Sequence, residues 1–155
     1  MRKEVRILRD LEKIESELNS NFVGVVALSA EEEKVLQIAT NYVYLDKNIY
    51  FFLKKDEDFF ENIGFDTNGS FLLLNQSKAK KSSKYDFVPV YHFISVNVSG
   101  TIRIVEEKKV IDDVRKAYLS KFSKRGTSEK VNFNALGKLL MIDTEEIYAY
   151  EEAGE

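Results

Sequence analysis

The feature of the sequence that most constrains the fold is a long alternating segment, residues 90–105. Apolar side chains occupy every second position through most of it, and polar or aromatic side chains lie between them. One face carries Val90, His92, Ile94, Val96, Val98, Ile102 and Ile104, and the other carries Tyr91, Phe93, Ser95, Asn97, Ser99, Thr101 and Arg103. A period of two residues predicts a β-strand with one buried face. Gly100 interrupts the segment and predicts a bulge or bend of the kind that barrel corners need.

Shorter apolar runs predict the other strands of the chain. They lie at residues 22–29, 35–45, 49–53 and 71–74, and in a final strand at 139–142 and 147–150 that the acidic residues 143–146 interrupt. A turn at Asp46, Lys47 and Asn48 joins the second and third runs, which makes them a hairpin. These runs therefore predict an antiparallel sheet.

Three helices are predicted from apolar side chains that lie three or four residues apart. The first covers residues 1–20, the second runs from an N-cap at Asp56 to a stop at Gly64, and the third covers about residues 111–122. Their apolar positions are Ile7, Leu11, Ile14 and Leu18, then Phe59, Phe60 and Ile63, then Ile111, Val114, Tyr118 and Phe122. Because helices and strands do not alternate regularly, the pattern argues against a doubly wound α/β sheet. It predicts a mainly β fold, a small barrel with peripheral helices.

Composition limits the classes of function that are open to the chain. Its 155 residues fit one domain, residues 1–155, in which residues 151–155 are expected to form a flexible tail. The net charge of −3 argues against a broad basic surface for nucleic acid. The absence of cysteine excludes disulfides and cysteine-ligated metals. No apolar segment approaches the roughly 18 residues of a membrane span, and we expect a cytoplasmic protein.

Three local patterns carry a resemblance to a known family. Residues 39–44 (Ala-Thr-Asn-Tyr-Val-Tyr) and 48–53 (Asn-Ile-Tyr-Phe-Phe-Leu) are similar to a cofactor-lining hairpin. Asn62 and Ile63 are similar to the end of the helix that follows that hairpin. Residues 98–105, with the acidic pair after them, are similar to a glycine-containing strand that leads into a helix. Together, over about residues 11–150, the chain resembles the flavin-binding split barrels of the pyridoxamine 5′-phosphate oxidase superfamily.

The resemblance implies a fold, a cofactor and an assembly. The fold is a six-stranded antiparallel Greek-key split barrel. The assembly is a homodimer with two flavin mononucleotides (FMN) in clefts between the subunits. Some members carry out oxidoreductase chemistry, in which the flavin undergoes the redox change and the protein positions it. The resemblance therefore predicts an FMN-binding flavoprotein, an oxidoreductase whose substrate the sequence does not identify. The net charge and the lack of a long apolar segment argue against nucleic acid and a membrane as partners.

Five residues are candidates for contact with the cofactor. The hydroxyl of Thr40 and the amide of Asn41 could hydrogen-bond the polar edge of an isoalloxazine ring, and Tyr42 could pack on its face. Lys54 and Lys55 follow the third strand, where the resemblance places the phosphate. The alternative is ordinary strand alternation for the first three residues and a solvated strand end for the two lysines.

The segment after the third strand departs from the family pattern. Flavin-binding members usually have a small hydroxyl residue and basic residues there, whereas residues 56–61 of this chain read Asp-Glu-Asp-Phe-Phe-Glu. These carboxylates would oppose a phosphate dianion. A split barrel without a cofactor, its cleft filled by Phe59 and Phe60, is therefore an alternative function.

Two further features have both a structural and a functional interpretation. His92, the single histidine, is either a half-buried, hydrogen-bonded side chain or a haem ligand, since some split barrels handle haem. The lysines of residues 78–84 indicate a mobile surface loop or a docking site for an anionic ligand or partner. These lysines are Lys78, Lys80, Lys81 and Lys84. No catalytic triad context, G-x-S-x-G, P-loop or Rossmann glycine motif occurs in the sequence.

Overall fold

The computed structural model describes residues 2–54, 63–77, 85–123 and 132–155. The strands are β1 (Lys3–Leu8), β2 (Val23–Ser29), β3 (Val35–Asn41), β4 (Val43–Leu45), β5 (Asn48–Leu53), β6 (Asn68–Ser77), β7 (Tyr91–Ile104) and β8 (Lys138–Gly154). The helices are α1 (Leu11–Ser20), α2 (Lys108–Phe122) and α3 (Phe133–Leu136), and Glu31–Glu33 form a 3₁₀ turn. The predicted helix between Asp56 and Gly64, with Phe59 and Phe60, falls mostly outside the described residues. Within the described ranges, no helix has the length and apolar character needed to cross a bilayer.

All the strands belong to one antiparallel sheet. Its order is β3-β2-β6-β7-β8-β5-β4, and β1 pairs with the far end of β8. β8 pairs with β7 on one side, and on the other it pairs with β5 through residues 138–142 and with β1 through residues 149–154. This curled sheet confirms the predicted mainly β, antiparallel split barrel, with eight strands in the described residues instead of six.

Strand β8 continues through the acidic residues 143–146, which were expected to interrupt it, and it contains a bulge there. The register between β7 and β8 shifts at Ser99 and Gly100, which leaves Glu145 as the extra residue and confirms the predicted bulge. Beyond it, the buried positions of β8 change from even numbers, such as Ile142, to odd numbers, such as Ala149. Residues 151–154 continue the strand, which corrects the prediction of a flexible tail.

The N-terminal segment is a strand followed by a helix, which corrects the single helix predicted over residues 1–20. Val5 and Ile7 alternate with charged residues in β1, and Ile7 pairs with Tyr150 of β8. Helix α1 starts after Asp10, whose carboxylate accepts a hydrogen bond from the backbone N–H of Glu12 at 3.1 Å. An aspartate N-cap of this kind satisfies an amide that has no partner inside the helix.

The predicted hairpin is present as β4 and β5, and it is covered on both faces. Asp46 and Lys47 form its turn with φ values of 50° and 66°, in the left-handed region that such turns require. One face packs in the barrel interior, where Ile49 and Phe51 are buried. The other face packs under α2. The core between the hairpin, β8 and α2 consists of Val43, Tyr50, Val105, Val114, Tyr118 and Leu139.

Candidate functional site

A cavity of about 580 Å³ lies beside the ends of β3 and β5, with α2 as one wall. Ala39, Thr40 and Asn41 at the end of β3 line it, together with Lys54 just after β5. Most of the remaining wall is apolar. A cavity of this size that combines apolar walls with a few polar groups at one edge is typical of small-molecule sites.

Aromatic rings form the α2 side of the cavity. Phe52, Tyr118 and Phe122 line it. The rings of Phe52 and Tyr118 meet edge to face at 5.0 Å between centroids, and those of Tyr118 and Phe122 stack at 5.3 Å. Phe22 extends the cluster, with its centroid 5.6 Å from that of Phe122. Such a contiguous aromatic surface suits a flat, conjugated ligand.

The polar edge of the cavity is held by hydrogen bonds to the backbone of Asn41. The Thr40 hydroxyl donates to the Asn41 carbonyl at 3.0 Å, and the Tyr118 hydroxyl donates to the same oxygen at 3.1 Å. The Thr40 oxygen therefore faces a ligand as an acceptor, since its own hydrogen is already used. Burial raises the pKa of Tyr118, so its phenol stays protonated and keeps donating at neutral pH.

The structure brings together three of the five predicted site residues, Thr40, Asn41 and Lys54. Tyr42 lies elsewhere, because its side chain is fully buried in the core. Its hydroxyl donates to the Leu18 carbonyl at 2.6 Å, and its ring packs edge to face on Phe71. Tyr42 therefore belongs to the barrel core and does not line the cavity. Lys55 lies outside the described residues, as do the acidic residues 56–61.

Lys121 is a residue of this region that the sequence analysis missed. Its ammonium nitrogen lies 3.9 Å from the centroid of the Tyr42 ring and donates to the Tyr42 carbonyl at 3.1 Å. Burial lowers the pKa of Lys121 to about 8, because the ammonium has lost part of its water. The spacing of residues in the sequence could have identified Lys121. It follows Tyr118 by three residues and adjoins Phe122, which places it at the edge of the predicted apolar stripe of α2.

A second polar cluster lies elsewhere in the barrel, around the buried carboxylate of Glu151. Tyr85 donates its hydroxyl to Glu151 at 2.6 Å, and the Lys13 ammonium lies 3.7 Å from the other carboxylate oxygen. His92 Nε2 lies 3.2 Å from Glu151, and His92 Nδ1 contacts the Ser77 hydroxyl. Both ring nitrogens of His92 thus have protein partners, and the geometry gives no support to the predicted alternative of a haem ligand. The connectivity is that of a serine–histidine–carboxylate triad, which no sequence motif indicated.

The fold and the aromatic cavity define the class of the chain, an antiparallel split barrel with a cavity beside the ends of β3 and β5. The chain belongs to the pyridoxamine 5′-phosphate oxidase family, whose sequence model matches residues 10–150. This match confirms the family resemblance that the hairpin and the glycine-containing strand indicated. No curated protein matches the chain in sequence.

Solved structures resemble the chain over almost its whole length. A proposed 5-nitroimidazole antibiotic resistance protein from Bacteroides thetaiotaomicron has a TM-score of 0.71 at 13% identity, over 100% of this chain and 93% of that one. An FAD-binding protein from Mycobacterium smegmatis has a TM-score of 0.65 at 13% identity, over 95% and 98% of the two chains. An FAD-binding protein from Mesorhizobium loti has a TM-score of 0.62 at 19% identity, over 95% and 97%. At these identities the similarity concerns the fold.

Proposed function

We propose that the chain binds a flavin in the cavity beside β3 and β5, with FMN as the preferred form, and acts as a flavin-dependent oxidoreductase. The observation that carries the proposal is the agreement between sequence and geometry: Thr40, Asn41 and Lys54 converge on one aromatic-walled cavity. The family match and the two FAD-binding relatives in the same fold support a flavin as the ligand. When bound, the flavin would supply the redox chemistry, and the protein would position it.

The residues of the cavity fit the parts of an FMN molecule. The aromatic wall of Phe52, Tyr118 and Phe122 would pack against the ring system. Thr40 would accept a hydrogen bond from a ring N–H, because its own hydrogen goes to the Asn41 carbonyl. Lys54 is exposed at the mouth and would pair with the phosphate. Among the described wall residues it is the sole cation, which suits one terminal phosphate better than a pyrophosphate.

The proposal extends to a homodimer in which the cavity lies at the interface. One face of β6, β8 and β1 carries apolar side chains that are between 39% and 50% exposed, namely Val5, Ile7, Leu72, Leu74 and Tyr148. The strand registers place these side chains on the same side of the sheet. Exposed apolar patches of this kind mark interaction surfaces.

The same face continues into the cavity. Leu72 is paired with Val25 of β2, and Val23, two residues earlier and 55% exposed, lines the cavity itself. A second copy seated on the sheet face would therefore also cover the cavity, and it would shield a bound flavin from water. This continuity is the reason for proposing a second copy of the chain as the occupant.

A binding titration tests the flavin proposal. The purified protein is titrated with FMN, FAD and riboflavin, and the flavin absorbance and fluorescence are followed with gel filtration as a check on retention. We expect retained FMN. Ala39→Trp, which fills the cavity, should weaken binding more than tenfold, whereas Gln37→Trp, two residues away on β3, should leave it unchanged. Absence of any retained flavin, or equal effects of the two tryptophans, would contradict the proposal.

The dimer is tested by molar mass in solution. Sedimentation velocity should give twice the mass of one chain, and Leu74→Asp should give the mass of a single chain and weaken flavin binding. Leu119→Asp, at a leucine of α2 that is 38% exposed against 49% for Leu74, is the control and should stay dimeric. A wild-type monomer would refute the interface.

A further inference from the structure

The corner between β3 and β4, formed by Asn41 and Tyr42, depends on side chains of α2. β3 ends at Asn41 and β4 begins at Val43, so the strand is interrupted beside the cavity. Tyr118 donates to the Asn41 carbonyl at 3.1 Å, and Lys121 donates to the Tyr42 carbonyl at 3.1 Å. Helix α2 thus supplies partners to two consecutive carbonyls at an interrupted strand.

Lys121 links this corner to three other groups at once. Its ammonium lies over the Tyr42 ring at 3.9 Å, and the Phe122 and Phe22 centroids lie at 5.7 and 6.0 Å. It also lies 3.5 Å from the Leu18 carbonyl in the last turn of α1, where the helix dipole favours a cation. Aromatic faces and carbonyl oxygens both attract a positive charge, so these contacts offset part of the cost of burying the ammonium.

Two tyrosines are the titratable groups beside Lys121, and one glutamate acts on the nearer of them, Tyr42. Tyr42 and Tyr118 have pKa values raised by burial, so both stay neutral near pH 8. Glu17 of α1 acts on Tyr42, whose pKa it helps to raise, and it accepts a hydrogen bond from the Asn75 amide at 2.9 Å. Lys121 is therefore the group of this set whose charge changes in the mildly alkaline range.

We infer that Lys121 is a positioning residue for the cavity: its ammonium holds the Asn41–Tyr42 corner against α2, and flavin binds more weakly when the ammonium loses its proton to solvent. The inference rests on the proposed flavin function. The corner carries Asn41 and adjoins Thr40, so its position sets where both polar groups of the cavity lie. A neutral amine can still donate an N–H, but it loses the attraction to the rings and the charge-assisted part of its hydrogen bonds.

The weakening of flavin binding should be seen around pH 8, because the pKa of Lys121 is lowered to about 8. Between pH 7 and pH 9 the wild-type Kd for FMN should rise about threefold to tenfold. Lys121→Arg stays charged throughout this range, so its Kd should be flat. Lys121→Met carries no charge at any pH, so it should bind FMN as weakly throughout as the wild type does at pH 9. Lys54→Met, at the cavity mouth, should bind FMN more weakly but keep the wild-type pH profile.

Riboflavin separates positioning from direct attraction between Lys121 and the phosphate. Because riboflavin has no phosphate, a positioning role predicts the same pH dependence as with FMN. A pH dependence that appears with FMN alone would overturn the inference, and so would a flat wild-type profile with both ligands.

The ligand-free protein distinguishes failure of this inference from failure of the proposed function. The backbone amide resonances of Asn41 and Tyr42 should titrate with a midpoint near the Lys121 pKa of about 8 in the wild type and stay constant in Lys121→Arg. Absence of that midpoint overturns the positioning role even if flavin binds. Its presence together with no flavin binding at any pH overturns the proposed function, while the hold of Lys121 on the corner stands.

Discussion

The cavity and the cluster around Glu151 differ in how their charges are balanced. The buried Glu151 carboxylate accepts a hydrogen bond from Tyr85 and lies within ion-pair distance of His92 and Lys13, so its charge is surrounded by partners. At the cavity, Lys54 lines the wall and has no ion pair with a carboxylate in the described part of the chain. The first arrangement stabilises the fold because its groups satisfy one another. The second leaves positive charge available to a ligand, which is what binding an anionic cofactor requires.

The largest expected effect comes from removing the Glu151 carboxylate, which tests whether its cluster stabilises the fold. Glu151→Ala leaves Lys13 without its counter-ion and the partly buried Tyr85 and His92 without the carboxylate that they contact, and we expect the free energy of unfolding to fall by about 2–4 kcal/mol. Urea denaturation measures it. Glu152→Ala, next in the chain and paired with Lys3 nearer the surface, should cost less than about 1 kcal/mol. Similar losses for the two variants would show that the cluster is not the stabilising element.

The pH dependence of the free energy of unfolding should show the effect of Lys121 and the effect of Tyr42 and Tyr118 in different pH ranges. The folded-state pKa of Lys121 is lowered to about 8, so between pH 8 and about 10.5 the folded chain binds fewer protons than the unfolded chain, and stability rises. Tyr42 and Tyr118 have raised pKa values, so above about pH 10 the folded chain retains protons that the unfolded chain loses, and stability falls. Each of these groups changes the free energy of unfolding by at most about 1.4 kcal/mol per pH unit.

Urea midpoints from pH 7 to pH 11 measure this curve. Lys121→Met should remove part of the rise below pH 10, and Tyr42→Phe should reduce the fall above it. A Tyr148→Phe control should leave the curve unchanged, because that side chain is 45% exposed. A wild-type curve that falls steadily from pH 8 would refute the assignment of Lys121.

The smallest expected effect concerns the exposed lysine at the cavity mouth. Lys54→Glu should weaken FMN binding about fivefold to tenfold, because it replaces an attraction to the phosphate by a repulsion, and it should leave riboflavin binding unchanged. Fluorescence titration at low salt measures both ligands. Lys116→Glu, on the exposed side of α2, is the charge-matched control. Equal losses for Lys54→Glu and Lys116→Glu would assign the effect to overall charge.

Local signals explain which parts of the fold were predictable from the sequence. The hairpin follows from a two-residue turn between apolar runs, and the alternation of residues 90–105 follows from one buried face. Thr40, Asn41 and Lys54 were identified because they lie close to that hairpin in the chain. β1 was missed because its partner, β8, is far away in sequence, and its apolar residues also fit a helical spacing.

The errors at the site have equally specific causes. Tyr42 was assigned to the cavity through the family resemblance of the hairpin, but the interruption between β3 and β4 places Tyr42, Val43 and Tyr44 all in buried positions. Glu151 was expected in a frayed tail because it begins an acidic, polar end of the chain. Its burial depends on the bulge at Glu145, which changes the side of β8 that faces inward, and on partners from three other segments.

The pairing of β8 also has a consequence for synthesis. β8 lies between β7 on one side and β5 and β1 on the other, and all three leave the ribosome before it does. Until residues 138–154 emerge, β5 and β1 lack this partner and β7 has one unpaired edge. Unpaired edges are templates for association with other chains. Closure of the barrel should therefore follow translation of β8, and nascent chains that stall before it should depend most on chaperones.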